Sequence, residues 1–425
     1  METMQAPKER VFSRYQVFVI AALSLLQFTV ILDFMVLNPL GEILITKMNI
    51  TTQQFGLVVS AYAFSAGISG ILAAGFADKF DRKKMLMVFY SGFTIGTFLC
   101  ALAPNYHFLL AARIFTGLFG GVISAIGMAI VVDLFQPQVR GRVMGFMQMA
   151  FALSQILGMP VGWELANRFS WHAPFWVIGV MAAILGGAIL FYMKPITEHL
   201  NARTEKNVVE HLVHTVSNRK YTLAFCTTIL LATGGYMLMP FGSTFSRHNM
   251  GLSPQDITWL YVATGAVSLI VSPIIGKLSD KLGRINVFYA ATLLTCIMVL
   301  IFTRLHITPL YLAIIINGLM FAGVLGRIIP VQASLASIPS LQDRGAFMSI
   351  NASIQQISGG FASVIAGLIV YKTSSGFLLN YDILGIVIVG AFIITLVMMN
   401  RLNKQIVTNA ANAAVEKKKE EIVPA

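Results

Sequence analysis

Three charged side chains stand inside long apolar stretches of the chain: Asp33, Arg113 and Arg327. A charged group at the centre of a bilayer costs about 3 kcal/mol by insertion scales, so it is retained there with a partner, with water or for a task. Counted at about 1.5 Å per helical residue, Asp33 lies roughly 14 Å from Glu42 and Arg113 roughly 10 Å from Tyr106. The two side chains could therefore meet at a similar depth. A carboxylate in a dry cavity takes up a proton more readily when a nearby arginine moves away, which is the chemistry of a proton switch.

The roles of these side chains stay open at this level. Asp33 and Arg113 could instead form a static polar bridge between the first and fourth apolar stretches. Asp33 is the only acidic residue well inside a stretch, so we expect it to be the principal proton site, with Glu164 as the next candidate. Arg327, three residues before Pro330, could bind an anionic group or only a helix end.

The apolar stretches that hold these residues are long and numerous. The chain has 425 residues, of which 56% are hydrophobic and 11% charged, and its mean hydropathy is +0.76. This composition is typical of membrane proteins. Stretches long enough to cross a bilayer as helices, which needs about 20 residues, fall near residues 15–43, 54–76, 85–103, 108–134, 142–166, 173–194, 221–245, 255–275, 286–303, 309–337, 346–370 and 381–400. We therefore predict an all-α membrane protein of twelve transmembrane helices.

A short polar pattern occurs twice and divides these helices into two sets of six. It reads small residue, three spacers, aspartate, lysine, two spacers and arginine, and Asp78 and Asp280 are 202 residues apart. Such doubling indicates two homologous six-helix bundles. The predicted domains are an N-terminal bundle at 1–194, a polar cytoplasmic linker at 195–220, a C-terminal bundle at 221–400 and a disordered cytoplasmic tail at 401–425.

The pattern resembles the loop between spans two and three of the major facilitator superfamily, with Ala74 and Asp81 where the first copy would usually have glycine. The resemblance implies a secondary transporter with the major facilitator fold, which alternates between inward-open and outward-open states. It also implies a gate on the cytoplasmic face. The gate residues it assigns are Ala74, Asp78, Arg82, Asp133, Gly276, Asp280 and Arg284. Ser337 stands where the second half would repeat Asp133, so we expect the second latch to be weaker.

Further motifs resemble the twelve-span drug and sugar (arabinose-type) proton antiporters. Arg113 is followed by Gly117, Gly120 and Gly121, an arrangement that resembles the R-x-x-x-G motif of span four and allows close helix packing. The fifth stretch contains Gly158-Met-Pro-Val-Gly, which resembles the Gly- and Pro-rich fifth span of the exporters. The first stretch ends in Asn38-Pro39-Leu40, which resembles a first-span motif of the same exporters, and Pro39 should bend the helix there. The resemblance implies proton-coupled export of a small amphipathic drug or sugar-like compound.

Basic residues are distributed unevenly across the predicted topology. Of the 30 lysines and arginines, 23 fall on the side of the chain ends and two lie within spans. The remaining five are Lys47, Arg168, Arg247, Arg304 and Lys372. This asymmetry places both termini in the cytoplasm and explains the net charge of +12 without nucleic acid. We expect a multi-pass protein of the plasma membrane, the bacterial inner membrane, that works as a monomer.

Other polar residues are candidates for the substrate cavity, although each could equally pair with a neighbouring helix. The candidates are Tyr62, Gln148, Gln155, Tyr236, Arg327, Asn351, Gln355 and Gln356. The partners expected from this pattern are the lipid bilayer, a small-molecule substrate and protons.

Metal and cofactor chemistry has little support in the sequence. Three cysteines lie in apolar stretches without paired spacing, which favours neither a disulfide framework nor a zinc cluster. His211 and His214 could share a helical face, but a solvated amphipathic surface explains them better than a metal site. No G-x-x-x-x-G-K-[ST] motif occurs, so we expect no cofactor and a proton gradient as the energy source.

Two functional alternatives remain. A transporter of the same fold could import an organic anion or a sugar together with protons, using Arg113 and Arg327. An intramembrane enzyme is disfavoured, because no span holds H-E-x-x-H and the seven histidines lie at span edges or in loops.

Overall fold

A computed structural model describes residues 12–74, 80–197, 215–335, 337–339 and 344–422. The N-terminal half contains α1 (Arg14–Val36), α2 (Gly41–Lys47), α3 (Thr52–Ala74), α4 (Arg82–Ala101), α5 (Tyr106–Leu134), α6 (Pro137–Arg168) and α7 (Ala173–Tyr192). The C-terminal half contains α8 (Arg219–Leu238), a 3-10 turn (Met239–Phe241), α9 (Gly242–His248), α10 (Pro254–Leu282), α11 (Arg284–Phe302), α12 (Leu310–Leu335), α13 (Arg344–Ile369) and α14 (Tyr381–Ile422). Between α13 and α14, β1 (Tyr371–Lys372) and β2 (Leu378–Leu379) pair as a small antiparallel hairpin.

Eleven helices in the described part are long and apolar enough to cross a membrane. The remaining long helix, α6, has 32 residues, and its segment 144–161 contains no charged residue. Its length of about 48 Å exceeds the thickness of a bilayer core. The predicted architecture of twelve helices in two bundles is confirmed.

The first helix of each half is broken near a proline. The predicted run 15–43 ends as a helix at Val36, passes through a turn containing Pro39 and resumes as α2. The predicted run 221–245 is interrupted in the same way by the 3-10 turn around Pro240. Proline has no amide hydrogen for the helical ladder, so the expected bend in the first helix is a complete break. The far ends of α1 and α8 are thereby freed to pack against each other as α2 and α9.

Two predictions, for the linker and for the C-terminal tail, are changed or left open by the structure. The prediction of disorder for 401–425 is wrong for residues 401–422, which continue α14. This stretch is rich in the good helix formers alanine, glutamate and lysine, and as an extension of an existing helix it needs no new nucleus. Most of the predicted linker, including His211 and His214, lies outside the described residues. At its start, the Ile196 N–H donates to Asp81 Oδ1 (3.0 Å), which docks the segment onto α4.

Small residues set the close helix contacts predicted for the fourth span. A Cβ added at Gly121 would lie 2.6 Å from Ala66 Cα, and one added at Gly117 would collide with the backbone of Tyr62. Helices α3 and α5 can therefore approach only because glycine stands at these positions. In α6, a Cβ added at Gly158 would lie 2.8 Å from Met35 Cβ in the same way.

The two halves meet along α3 with α13 and along α6 with α10. We call the side on which α1 begins and α14 ends the terminal side, and the opposite side the far side. One apolar cluster at the far side contains residues from both halves, including Phe55 and Phe241. At the terminal side the clusters are separate, one formed by the N-terminal half around Phe93 and one by the C-terminal half around Phe347. Among the described residues, the halves therefore share a core at the far side, and each has its own core at the terminal side.

Candidate functional site

Asp33 and Arg113 form a fully buried ion pair inside the N-terminal half. The Arg113 Nη1 atom lies 2.7 Å from Asp33 Oδ2, and both side chains are 0% exposed. Asp33 stands in the last turn of α1, and Arg113 stands in the second turn of α5. The Thr97 hydroxyl of α4 donates to the other carboxylate oxygen, Asp33 Oδ1, at 3.2 Å. The structure thus brings together the two side chains that the sequence placed at similar depth.

Arg113 contacts one carboxylate and one aromatic ring, but not all of its N–H groups donate a hydrogen bond. Its guanidinium carbon lies 4.5 Å from the centre of the Tyr62 ring. The Nε and Nη2 atoms have no hydrogen-bond partner among the described residues. An arginine in such a position depends on its one carboxylate, because removing one partner of a buried pair typically costs about 3–5 kcal/mol.

An aromatic cluster connects this pair to the C-terminal half. Phe34, next to Asp33 in α1, packs against Tyr62 at 5.3 Å between ring centres and against Tyr236 of α8 at 5.7 Å. The Tyr236 hydroxyl then donates to Gln356 Oε1 of α13 at 3.0 Å. A continuous set of contacts therefore runs from Arg113 through both halves.

The other predicted cavity residues have more varied environments. Asn351 accepts a hydrogen bond from Thr228 Oγ1 at 2.6 Å, which joins α13 to α8 as the helix-pairing alternative requires. Gln355 is half-buried on α13. Gln148 and Gln155 belong to α6, but their side chains lie outside the described part of the structure.

Arg327 is buried in the C-terminal half, where it stacks on aromatic rings. It is 2% exposed, and its guanidinium carbon lies 3.5 Å from the centre of the Phe392 ring and 5.8 Å from that of Phe288. Its Nε and Nη2 atoms have no hydrogen-bond partner among the described residues, so these atoms do not bond a helix end. Cation–π contacts contribute up to about 2 kcal/mol when desolvated, which offsets only part of the cost of about 3 kcal/mol for a charge at this depth.

A cavity of about 50 Å³ lies within the C-terminal half, close to Arg327. Its walls include Tyr261, Asn317, Phe392 and the two glycines 234 and 235, and Met159 of the N-terminal half contributes to its lining. Of the predicted cavity residues whose side chains the structure describes, none lines it. The Asn317 side chain donates to Thr264 Oγ1 at 2.6 Å. The sequence analysis did not predict this wall residue, although a polar amide inside an apolar stretch indicates such a position. Tyr261, Tyr381 and Ser246 also line the cavity and carry hydroxyl groups that gave a similar signal. The remaining walls are apolar or glycine, and their types do not distinguish them from lipid-facing residues.

The predicted gate is partly visible at the terminal side. Arg82 Nε lies 3.0 Å from Asp133 Oδ2, so the pair expected from the resemblance is formed. Asp78 lies outside the described residues, and the side chains of Ala74 and Asp280 are not described either.

The second copy of the gate differs from the first in two ways. Arg284 Nη1 donates to the backbone carbonyl of Ala333 at 3.0 Å, and no described carboxylate lies within ion-pair distance of Arg284. Gly283 has φ +88°, a conformation that favours glycine, whereas Asp81 at the matching position has φ −53° and caps α4 with its side chain. A Cβ added at Gly276 would meet nothing within 4 Å, so no contact requires glycine there.

Polar contacts between the halves reinforce the apolar seal at the far side. Trp163 Nε1 of α6 donates to the carbonyl of Pro254, the first residue of α10, at 2.9 Å. Thr258 Oγ1 donates to Glu164 Oε2 at 2.7 Å, so this predicted secondary proton site takes part in the seal. His248 Nε2 of α9 lies 3.3 Å from Glu42 Oε1 of α2.

The chain is similar in sequence to known membrane transporters. The family model described as Major Facilitator Superfamily matches residues 23–241 and 224–423. An uncharacterized MFS-type transporter of Bacillus subtilis, YceJ, is 27% identical over 262 residues, covering 62% of this chain and 67% of the relative. Multidrug resistance protein 2 of the same organism is 27% identical over 244 residues, covering 56% of this chain and 60% of that protein.

Among solved structures, the crystal structure of a D-xylose–proton symporter superposes with a TM-score of 0.72. The two chains are 17% identical, and the match covers 89% of this chain and 97% of the symporter. At this level of identity the likeness shows the fold.

Proposed function

The chain belongs to the major facilitator superfamily, and on that premise we propose that it is a proton-coupled exporter of a small amphipathic compound. It is a membrane transporter rather than an enzyme, as its family and relatives are. We assign both termini to the cytoplasm and the protein to the bacterial inner membrane, where it works as a monomer by alternating access.

The buried Asp33–Arg113 pair is the observation that carries the proton-coupling proposal. A protein that needed only a link between α1 and α5 could use neutral groups, whose burial costs far less than that of two ions. Protonation of Asp33 removes the negative charge, which releases Arg113 from its single carboxylate. Because Arg113 packs on Tyr62, and Tyr62 contacts Phe34, its movement would reach the contacts between the halves.

We propose a transport cycle that uses the difference between the two sides of the structure. We assign the observed state, with its halves sealed at the far side, to the conformation that faces the cytoplasm in the proposed orientation. Here Asp33 is ionised and paired, and the substrate enters from the cytoplasm. After the change of state, a proton from outside neutralises Asp33, and return of the protein releases that proton to the cytoplasm. One proton bound outside and released inside drives export without a nucleotide.

Import of an organic anion with protons is a second candidate, favoured by the buried and unpaired Arg327. The two functions predict opposite directions of net substrate movement under the same imposed pH gradient. Flux measured in vesicles of known orientation separates them.

The Asp33→Asn variant in proteoliposomes tests the proposal, because asparagine mimics the protonated carboxyl without titrating. We expect loss of uphill transport driven by a pH gradient, with substrate binding or downhill exchange retained. Asp382→Asn, which changes an exposed aspartate at the start of α14, is the matched control and should transport normally. If Asp33→Asn still concentrates substrate in response to the gradient, Asp33 is not the coupling residue. Loss of binding together with stability would assign Asp33 a structural role.

A further inference from the structure

The charge of Arg327 has no acidic counterpart among the described residues of the C-terminal half. Among the described residues no carboxylate oxygen lies within 4.0 Å of its guanidinium, although the side chain is only 2% exposed. Arg113 in the other half has the same two nitrogens unsatisfied, Nε and Nη2, but it holds Asp33. A buried cation without an anion is costly, so such a site is well suited to an anion supplied from outside the chain.

A single aromatic ring connects Arg327 with the cavity of the C-terminal half. Phe392 lines the cavity and lies with its ring centre 3.5 Å from the guanidinium carbon. Val324, one helical turn before Arg327 on α12, also lines the cavity, whereas Arg327 itself does not reach its surface. The ring packs so closely on Gly234 that an added Cβ there would collide with it. Phe392 therefore lies between the guanidinium and the cavity.

The size of the cavity depends on the contact between the halves. About 50 Å³ holds only a few water molecules, but one wall residue, Met159, belongs to α6 of the N-terminal half. Movement of α6 away from α10 withdraws this side chain, which is itself flexible. An occupant larger than water therefore needs α6 and its Met159 side chain to shift before it fits this cavity.

We propose that the transported compound carries an anionic group, a carboxylate or sulfonate, that binds Arg327 while its apolar part occupies this cavity. The inference rests on the proposed function and narrows its substrate class. Guanidinium and carboxylate match in geometry, and the charge-assisted hydrogen bonds would satisfy the donors that the protein leaves unpaired. Phe392 then packs against the apolar part of the compound instead of covering the cation.

Equilibrium binding to the purified protein, measured by calorimetry with three probes of matched shape, tests the proposal. The probes are phenylbutyrate, phenylbutyramide and phenylbutylammonium, which share a phenylalkyl body of the same length and carry an anionic, a neutral and a cationic group at one end. We expect the carboxylate to bind the wild-type protein at least about tenfold more tightly than the amide, as charge-assisted bonds require. The preference should disappear in Arg327→Gln and persist in part in Arg327→Lys, which keeps the charge but loses the planar fork. Arg304→Gln is the control, because Arg304 is exposed and bonds its own helix at the Leu300 carbonyl.

Each possible result of this experiment supports or overturns the proposal. The proposal is overturned if the wild-type protein binds the three probes equally, prefers the ammonium compound or fails to bind the carboxylate, and none of these results depends on a variant. The proposal is also overturned if Arg327→Gln still prefers the carboxylate, whether or not the variant loses stability. Arg327 would then be a structural cation stacked on Phe392. Binding requires no gradient, so a carboxylate preference without pH-driven transport would refute the proposed function and leave this site standing.

Discussion

Replacing Arg113 with alanine tests how far the buried pair depends on mutual neutralisation. The substitution removes the cation and leaves the Asp33 carboxylate with one described hydrogen bond, from Thr97 at 3.2 Å. Because both members of the pair are 0% exposed, water does not reach the carboxylate without a rearrangement of α1, α4 and α5. Arg113→Ala should therefore be destabilised, and the double variant Asp33→Asn with Arg113→Ala should recover much of the loss.

The expected magnitudes follow from the burial of the two side chains. Removing one partner of a fully buried pair costs about 3–5 kcal/mol, and truncating a large buried side chain adds a cavity cost of about 24 cal/mol per Å³. The double variant keeps the cavity cost but has no stranded charge, so it should regain roughly 2–4 kcal/mol. Lysine at position 113 keeps the charge without the planar fork and should rescue the protein in part. Arg168→Ala breaks the exposed pair with Glu164, with an arginine side chain 72% exposed, and should cost less than about 1 kcal/mol.

The assay is reversible unfolding of the purified variants in mixed micelles, followed by tryptophan fluorescence, with the coupling free energy taken from the double-mutant cycle. A coupling near zero, with the double variant as unstable as Arg113→Ala, would refute the argument that the charges neutralise each other in a dry site. Equal stability of Arg113→Ala and wild type would show that water reaches Asp33.

Two further predictions concern the packing of the helices. Gly121→Val should destabilise the protein by about 1–3 kcal/mol, because the new side chain collides with the backbone of α3. Gly187→Ala should leave stability unchanged, because a Cβ at that position meets nothing within 4 Å. Thermal unfolding of the two variants checks both expectations. Trp163→Phe should weaken the far-side seal by about 1 kcal/mol, since the hydrogen bond to the Pro254 carbonyl is lost. Faster amide hydrogen exchange in α2 and α9 is the readout, with the exposed Trp176→Phe as control, and unchanged exchange would remove Trp163 from the seal.

Much of the architecture could be predicted from the sequence, because membrane burial imposes a strong local rule. A span must satisfy its backbone internally and present apolar side chains, so each helix is visible as a long apolar stretch. The same rule makes charges within spans rare, which is why Asp33 and Arg113 could be paired before their contact was seen. The Arg82–Asp133 contact was predicted from the resemblance of a repeated loop. The tail at 401–422 was predicted wrongly because its lack of apolar periodicity outweighed its high helix propensity.

The residues of the cavity show where sequence reasoning stops. Phe392 and Met159 are apolar residues in apolar helices, and in a membrane protein such residues face lipid as readily as they face a cavity. Asn351 was predicted to line the cavity, yet its amide oxygen accepts a hydrogen bond from Thr228. Only the arrangement of neighbouring helices decides between these environments.

The sequence by itself determined the number of spans, the twofold repeat, the positions of the rare charges and, through the distribution of lysine and arginine, the orientation we expect. Only the tertiary structure decided that α2 and α9 seal the far side, that the terminal-side cores are separate, and that Arg327 stacks on Phe392 without a carboxylate. The physical reason is one of range. Apolar length and charge cost act on each helix separately, whereas the seal joins residues about 200 positions apart, such as Glu42 and His248, through small differences in packing free energy between alternative arrangements of the same helices.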